Sequence, residues 1–148
     1  MPIQLSEHFT LEEATFSSTA MRHGVDNIPS GDQIAAMKVA AVGMEVVRTI
    51  LGNIPLHVDS WFRCGILNGL VGGSKTSAHM DGYAVDFICP RFGTPLEIVQ
   101  TIVSSGLKFD QCIQEGNWVH ISFAPAMRQR VLTAHFGSDG IATYSNGI

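Results

Sequence analysis

Two histidines and an aspartate are the residues of this chain whose types and spacing point most directly to chemistry. Ser77-Ala-His79 is followed seven residues later by Asp86, and much later by Trp118-Val-His120. Two imidazoles and a carboxylate form a ligand set that holds a catalytic zinc and leaves a position open for water. A structural zinc normally takes four protein ligands, so a three-ligand set implies a use beyond folding. Zinc–ligand bonds of about 2.0–2.2 Å require the donor atoms to converge. On one continuous helix, His79 and Asp86 would lie about 10.5 Å apart along the axis. A loop carrying His79, a turn at Asp81-Gly82 and a strand carrying Asp86 fit the spacing better. If His120 lies on a neighbouring strand, Trp118 and His120 share its face, because strand side chains alternate. Taken singly, each residue has a plainer reading. His79 can be an exposed loop histidine, Asp86 a paired buried carboxylate, and His120 a satisfied core histidine.

The elements that must position these groups are legible in outline. Thr10-Leu-Glu-Glu13 reads as a capping box opening a short helix, and Ser30-Gly-Asp-Gln33 as another before a long helix over 31–51. Ile34, Met37, Ala41, Val42 and Val46 recur there at helical spacing, and Gly52 supplies the stop. Thr94-Pro-Leu-Glu97 is a third box with proline at the first helical position, and its helix runs to Gly106. Cys64 to Val71 reads as a short helix, and Gly72 to Met80 as a loop. Strands are expected over 54–60 and 83–88, with Pro55 at an edge or a strand start. The runs 109–114 and 118–123, joined by Glu115-Gly-Asn117, carry a hairpin signature. The tail from Val131 adds a further strand. Helices first and hairpins later, without βαβ alternation, predict an α+β fold, a single domain over 1–148 with a central antiparallel sheet flanked by helices.

Composition narrows the function. The 148 residues suit one domain, able to bury roughly 70% of the unfolded chain's surface. Nine basic against thirteen acidic residues give a net charge of −4, with no cluster of Lys or Arg, which disfavours a phosphate grip and hence nucleic acid. Cys64, Cys89 and Cys112 are odd in number and lack CxxC spacing, so they read as buried reduced thiols. No basic segment followed by an apolar run marks a signal peptide, and no apolar stretch approaches the ~20 residues of a membrane span. Synthesis as a soluble cytoplasmic product is expected.

Ser60-Trp-Phe-Arg63, Leu67-Asn68, Val71-Gly-Gly-Ser74, Ser77-Ala-His79, Gly82-Tyr-Ala-Val-Asp86 and Trp118-Val-His120 occur in this order. Together they resemble the zinc D-alanyl-D-alanine carboxypeptidase family, of the hedgehog/D,D-peptidase-like fold, whose relatives include vancomycin-resistance dipeptidases and phage endolysins. The resemblance runs from about Ser6 to Phe123. Glu7-His-Phe-Thr-Leu-Glu-Glu and Ala20-Met-Arg-His-Gly-Val-Asp-Asn27 look like the phage-encoded branch.

The resemblance implies one Zn2+ per chain on His79, Asp86 and His120. It implies substrate contact by Ser77, and by Arg63 near the scissile bond, where a guanidinium fork suits a carboxylate or developing oxyanion. The implied partner is a peptidoglycan stem peptide cut by a monomer at the bacterial cell wall or periplasm. The protein is expected to be of phage or prophage origin and to reach the wall by lysis, a holin-type pore or carriage on a virion. The general base departs from pattern. Many relatives carry an acid three residues before the last zinc histidine, where this chain has Asn117. Glu115, five residues before His120 in the same turn, is the nearest carboxylate and the expected base. The alternative is a catalytically weak or inactive zinc-binding wall-recognition or virion-associated protein.

Overall fold

Side chains set the helix starts. In a computed structural model, which describes residues 2–148, Ser30 and Gln33 exchange reciprocal capping bonds at the start of the longest helix, α3 (Gly31–Ile50). Gly52, at φ +92°, follows its end. Two short helices precede it. α1 (Leu11–Thr15) is capped by Thr10, which accepts from the Glu13 backbone N–H at 3.1 Å. The reciprocal half of that predicted box is not made: Glu12 turns back instead, accepting from the Ile3 N–H. α2 (Ser18–Arg22), capped by Ser17, is too short to show periodicity and was not expected.

β1 (His57–Ser60) follows α3, shorter than the 54–60 strand predicted because Pro55 keeps its flank out of the ladder. Then come α4 (Gly65–Leu70), α5 (Ala78–Asp81), β2 (Ala84–Ile88) and α6 (Pro95–Ser104). Thr94 and Glu97 box α6 as predicted. β3 (Gln111–Gln114) and β4 (Val119–Ser122) form the expected hairpin. The tail supplies two strands where one was expected, β5 (Arg130–Phe136) and β6 (Ala142–Asn146).

The six strands run in the order β1-β2-β4-β3-β5-β6. The sheet is mixed and not wholly antiparallel as predicted, because β5 pairs parallel to β3. The link 123–129 passes across the end of β3, so β5 must start at the same end as β3. Asp110 secures this crossing by accepting from the Arg128 backbone N–H, Nε and Nη2 at 2.8–3.0 Å. Gln129 ties down its other side through Phe109 and Leu107.

Alternation gives the sheet two faces. Val85, Phe87, Cys112, Val119 and Ile121 join Met37, Ala40, Ala41, Met44 and Val47 of α3 and Ile98, Val99 and Ile102 of α6 in the main core. Val42 and Val46, counted in the periodic pattern, are instead 64% and 42% exposed, because the buried stripe of α3 runs along Met37, Ala40, Ala41, Met44 and Val47. The opposite face carries Asp86, His120, Ile113 and Leu132, which stand opposite one another in a row across four strands.

Gly82 joins the two faces. It closes α5 in the left-handed region at φ +96°, and a Cβ there would sit 2.7 Å from the Gln33 carbonyl oxygen of α3. Only glycine lets β2 leave so close to α3. Gly82→Ala is expected to lower unfolding free energy by about 2 kcal/mol or more in denaturant titration. Parental stability in that variant contradicts this account of the turn.

Candidate metal centre and its cleft

Trp61, which follows β1, organises the centre. Its ring is buried edge-on against Phe9 with centroids 5.9 Å apart, and its Nε1 donates to the Gly82 carbonyl at 3.0 Å. Its own carbonyl oxygen lies 2.6 Å from His79 Nδ1. His79 stands on the single turn of α5 and not on the loop expected, because Ser77 caps that turn, accepting from the His79 N–H at 3.2 Å. Asp86 and His120 are direct cross-strand partners on β2 and β4. A loop-capping serine, a glycine turn and one strand register therefore bring the three groups together.

Their donor atoms all lie within 4.8 Å of one another. Asp86 Oδ1 is 3.2 Å from His79 Nε2 and 2.9 Å from His120 Nδ1, and the two rings meet edge-on with centroids 5.0 Å apart. Tetrahedral zinc with bonds of about 2.0–2.1 Å needs donors roughly 3.3 Å apart, so these spacings fit. The hydrogen-bond chemistry fits too. A carbonyl oxygen only accepts, so Nδ1 of His79 carries the proton and Nε2 presents a lone pair. That lone pair faces a carboxylate oxygen, another acceptor, and a cation between them satisfies both.

The electrostatics favour the same occupant. Burial, opposed by Asp86, holds His79 below the ordinary imidazole range, so it tends to be neutral, as a ligand must be. Burial alone would raise the Asp86 carboxyl. Attraction to the His79 and His120 imidazoles around its Oδ1 outweighs it and leaves the group well below the usual carboxylate range.

Arg63 completes the ring of contacts. Its backbone N–H donates to the His79 carbonyl at 3.1 Å. Nε donates to Ser60 Oγ, Nη1 to Asn68 Oδ1, and Nη2 to Asp86 Oδ2 at 3.3 Å. A guanidinium has five N–H groups, so one on each Nη remains to donate outward. Asn68, buried at 3% exposure, is held by the Ser74 carbonyl. Neither Asn68 nor the Trp61 carbonyl was marked as part of the site from sequence, although both lie inside the motifs that flank it.

These groups open onto a cleft of about 1040 Å³. Gly72, Ser77 and Arg63 line one side, Leu132, Phe136 and Tyr144 the other. Glu115 also lines it and is 9% exposed, whereas Asn117 is exposed on the turn beyond. Burial first, and then the Asp86 charge, push the Glu115 carboxyl up, against the opposing effects of His120, Tyr144 and Arg63. Asp110 also faces the cleft, but its partner is Arg128 and not a residue of the triad. His8 and His57 pair instead with Glu45 and Asp59, and His135 bonds Ser145.

A buried His-Asp-His cluster at the floor of an open cleft, with a desolvated carboxylate beside it, is an arrangement suited to metal-assisted hydrolysis. The sequence comparison agrees in class. The model of the peptidase M15 family matches residues 7–122, and the chain belongs to that family. No curated protein matches the chain.

Zinc added to the purified protein is expected to raise its unfolding midpoint, by about 2.7 kcal/mol of stability at free metal a hundred times Kd. His120→Ala should abolish that rise. An equal zinc-induced rise in the variant contradicts the assignment of His120 to the centre.

Proposed function

We propose that this peptidase hydrolyses peptide bonds in peptidoglycan stem peptides, with one zinc ion held by His79, Asp86 and His120. The observation that carries the reading is the convergence of those three donors at the cleft floor, with Glu115 buried on the same side of the sheet. When bound, zinc supplies a Lewis acid that acidifies water and polarises a carbonyl.

The protein's own residues then divide the work. Trp61 fixes the His79 tautomer by accepting from Nδ1. Glu115 takes the proton of the attacking water and delivers it to the leaving amine. Burial raises its proton affinity above that of an ordinary carboxylate, which favours taking a proton from water, and the acid so formed can release that proton to an amine. Arg63, locked by Ser60, Asn68 and Asp86, directs its two unspent N–H groups at the developing oxyanion or a substrate carboxylate. Ser77, whose oxygen caps α5, keeps its hydroxyl proton to donate to the substrate backbone.

The substrate class rests on the resemblance to D-alanyl-D-alanine peptidases and on cleft size. A trough of about 1040 Å³ accommodates residues on both sides of a scissile bond. The amino-terminal motifs agree with an enzyme of the phage-type branch acting at the cell wall. Among the described residues no helix is long and apolar enough to cross a membrane. The second reading, a zinc-binding wall-recognition protein without activity, draws on Asn117 in the place where many relatives carry an acid. The burial of Glu115 in the cleft favours the enzyme.

Muropeptide digests analysed by mass spectrometry are expected to show chelator-sensitive cleavage that Glu115→Gln reduces at least about a hundredfold, with zinc content and unfolding midpoint retained. Near-parental turnover by Glu115→Gln removes Glu115 from the mechanism. Full zinc loading with no cleavage by the parent protein supports the recognition reading instead.

A further inference from the structure

The hairpin of β5 and β6 follows the segment matched to the family, yet it forms one wall of the cleft. Its register explains what that wall delivers. Gln114 pairs with Thr133, and Ala134 with Tyr144, so Glu115, Ala134 and Tyr144 stand in successive strands at one level. Ala134, small and buried, leaves room for the tyrosine to reach across it. The Tyr144 hydroxyl donates to Glu115 Oε1 at 3.5 Å. That is long for a hydrogen bond, but such contacts often tighten when substrate closes a site.

Two further contacts clamp the hairpin to the turn that carries Glu115. The Phe136 ring packs at a tilt on Trp118 with centroids 6.5 Å apart. It also lies beneath Gly116, where an added Cβ would come within 3.2 Å of it. The hairpin and the base-bearing turn are therefore in direct contact through Phe136.

We propose that Tyr144 is a positioning residue for the general base, its hydroxyl fixing Oε1 of Glu115 so that Oε2 faces the attacking water. This rests on the assignment of Glu115 made above. Free rotation of a glutamate side chain lowers the fraction of time its oxygen is aimed correctly, and a fixed donor on one oxygen removes that freedom. The tyrosine remains a donor throughout, since burial and the neighbouring Glu115 charge push its hydroxyl above the ordinary phenol range. The titratable groups around Glu115 are Asp86, His120 and Arg63, and Tyr144 is the hydroxyl among them.

Tyr144→Phe, compared with Glu115→Gln in the full-length zinc-loaded protein on a stem-peptide substrate, tests this. The expected pattern is a kcat about tenfold lower in Tyr144→Phe with KM within twofold. The acid limb of its pH profile should move upward, because a hydrogen bond to the ionised carboxylate has been lost. Carboxyl titration of ¹³C-labelled glutamate in the zinc-free protein should show the same upward move. Tyr144→Phe with parental kcat and unmoved titrations, beside an inactive Glu115→Gln, overturns the role of Tyr144 alone. A reduced kcat with unmoved titrations also overturns it, since that marks a structural effect. An active Glu115→Gln overturns the base assignment and the positioning role together.

Discussion

A single carboxylate, that of Asp86, is the constraint from which the rest of the site follows. It is almost fully buried, and an ionised carboxylate in that position is costly unless each oxygen is matched. Oδ1 is met by His120 and faces His79 Nε2 across the place a cation would take, and Oδ2 is met by the Arg63 guanidinium. Removing any one partner leaves an uncompensated charge in a low-dielectric pocket. The partners are themselves committed: His79 to the Trp61 carbonyl, Arg63 to Ser60 and Asn68, and Asn68 to the Ser74 carbonyl. No buried side-chain nitrogen or oxygen among the described residues lacks a hydrogen-bond partner. A network of this kind fixes the donor positions and leaves the facing His79 Nε2 and Asp86 Oδ1 for a cation to bridge.

The sheet makes that network compatible with a stable fold. Over β2 and β4 and at Cys112 of β3, one face packs apolar side chains against α3 and α6, so the polar face need not contribute to the main core. Ile113, Leu132 and Ala134 form a separate small apolar cluster on the cleft side. It supports the floor beneath the substrate trough without filling it. The parallel pairing of β3 with β5 then extends this floor sideways, and the β6 strand brings a phenol towards Glu115. Helix packing secures one side of the sheet and a strand extension shapes the other.

Much of this was legible in the residues. The boxes at Ser30 and Thr94 act within three or four positions, and both occur as the sequence implies. The cluster of His79, Asp86 and His120 was also anticipated, since Gly82 permits a tight exit and alternation fixes the face of His120. Other features depend on contacts distant in sequence. Val42 and Val46 match the helical period as well as Met37 does, and only the packing of alanines against the sheet shows that they face outward. His79 lies on a helical turn because the Ser77 hydroxyl caps it, a bond that competes with the loop conformations its neighbours favour. The direction of β5 follows from the path of the link 123–129, which the Arg128–Asp110 pair secures, and Tyr144 reaches Glu115 only through that placement. No local pattern encodes either.

The zinc K-edge X-ray absorption spectrum of the protein loaded with one equivalent of metal is the most direct test of the centre. Scattering from two imidazoles, with nitrogen and oxygen neighbours at about 2.0–2.1 Å and no sulfur, is predicted. A sulfur shell near ~2.3 Å, or an absence of imidazole scattering, contradicts the site described here.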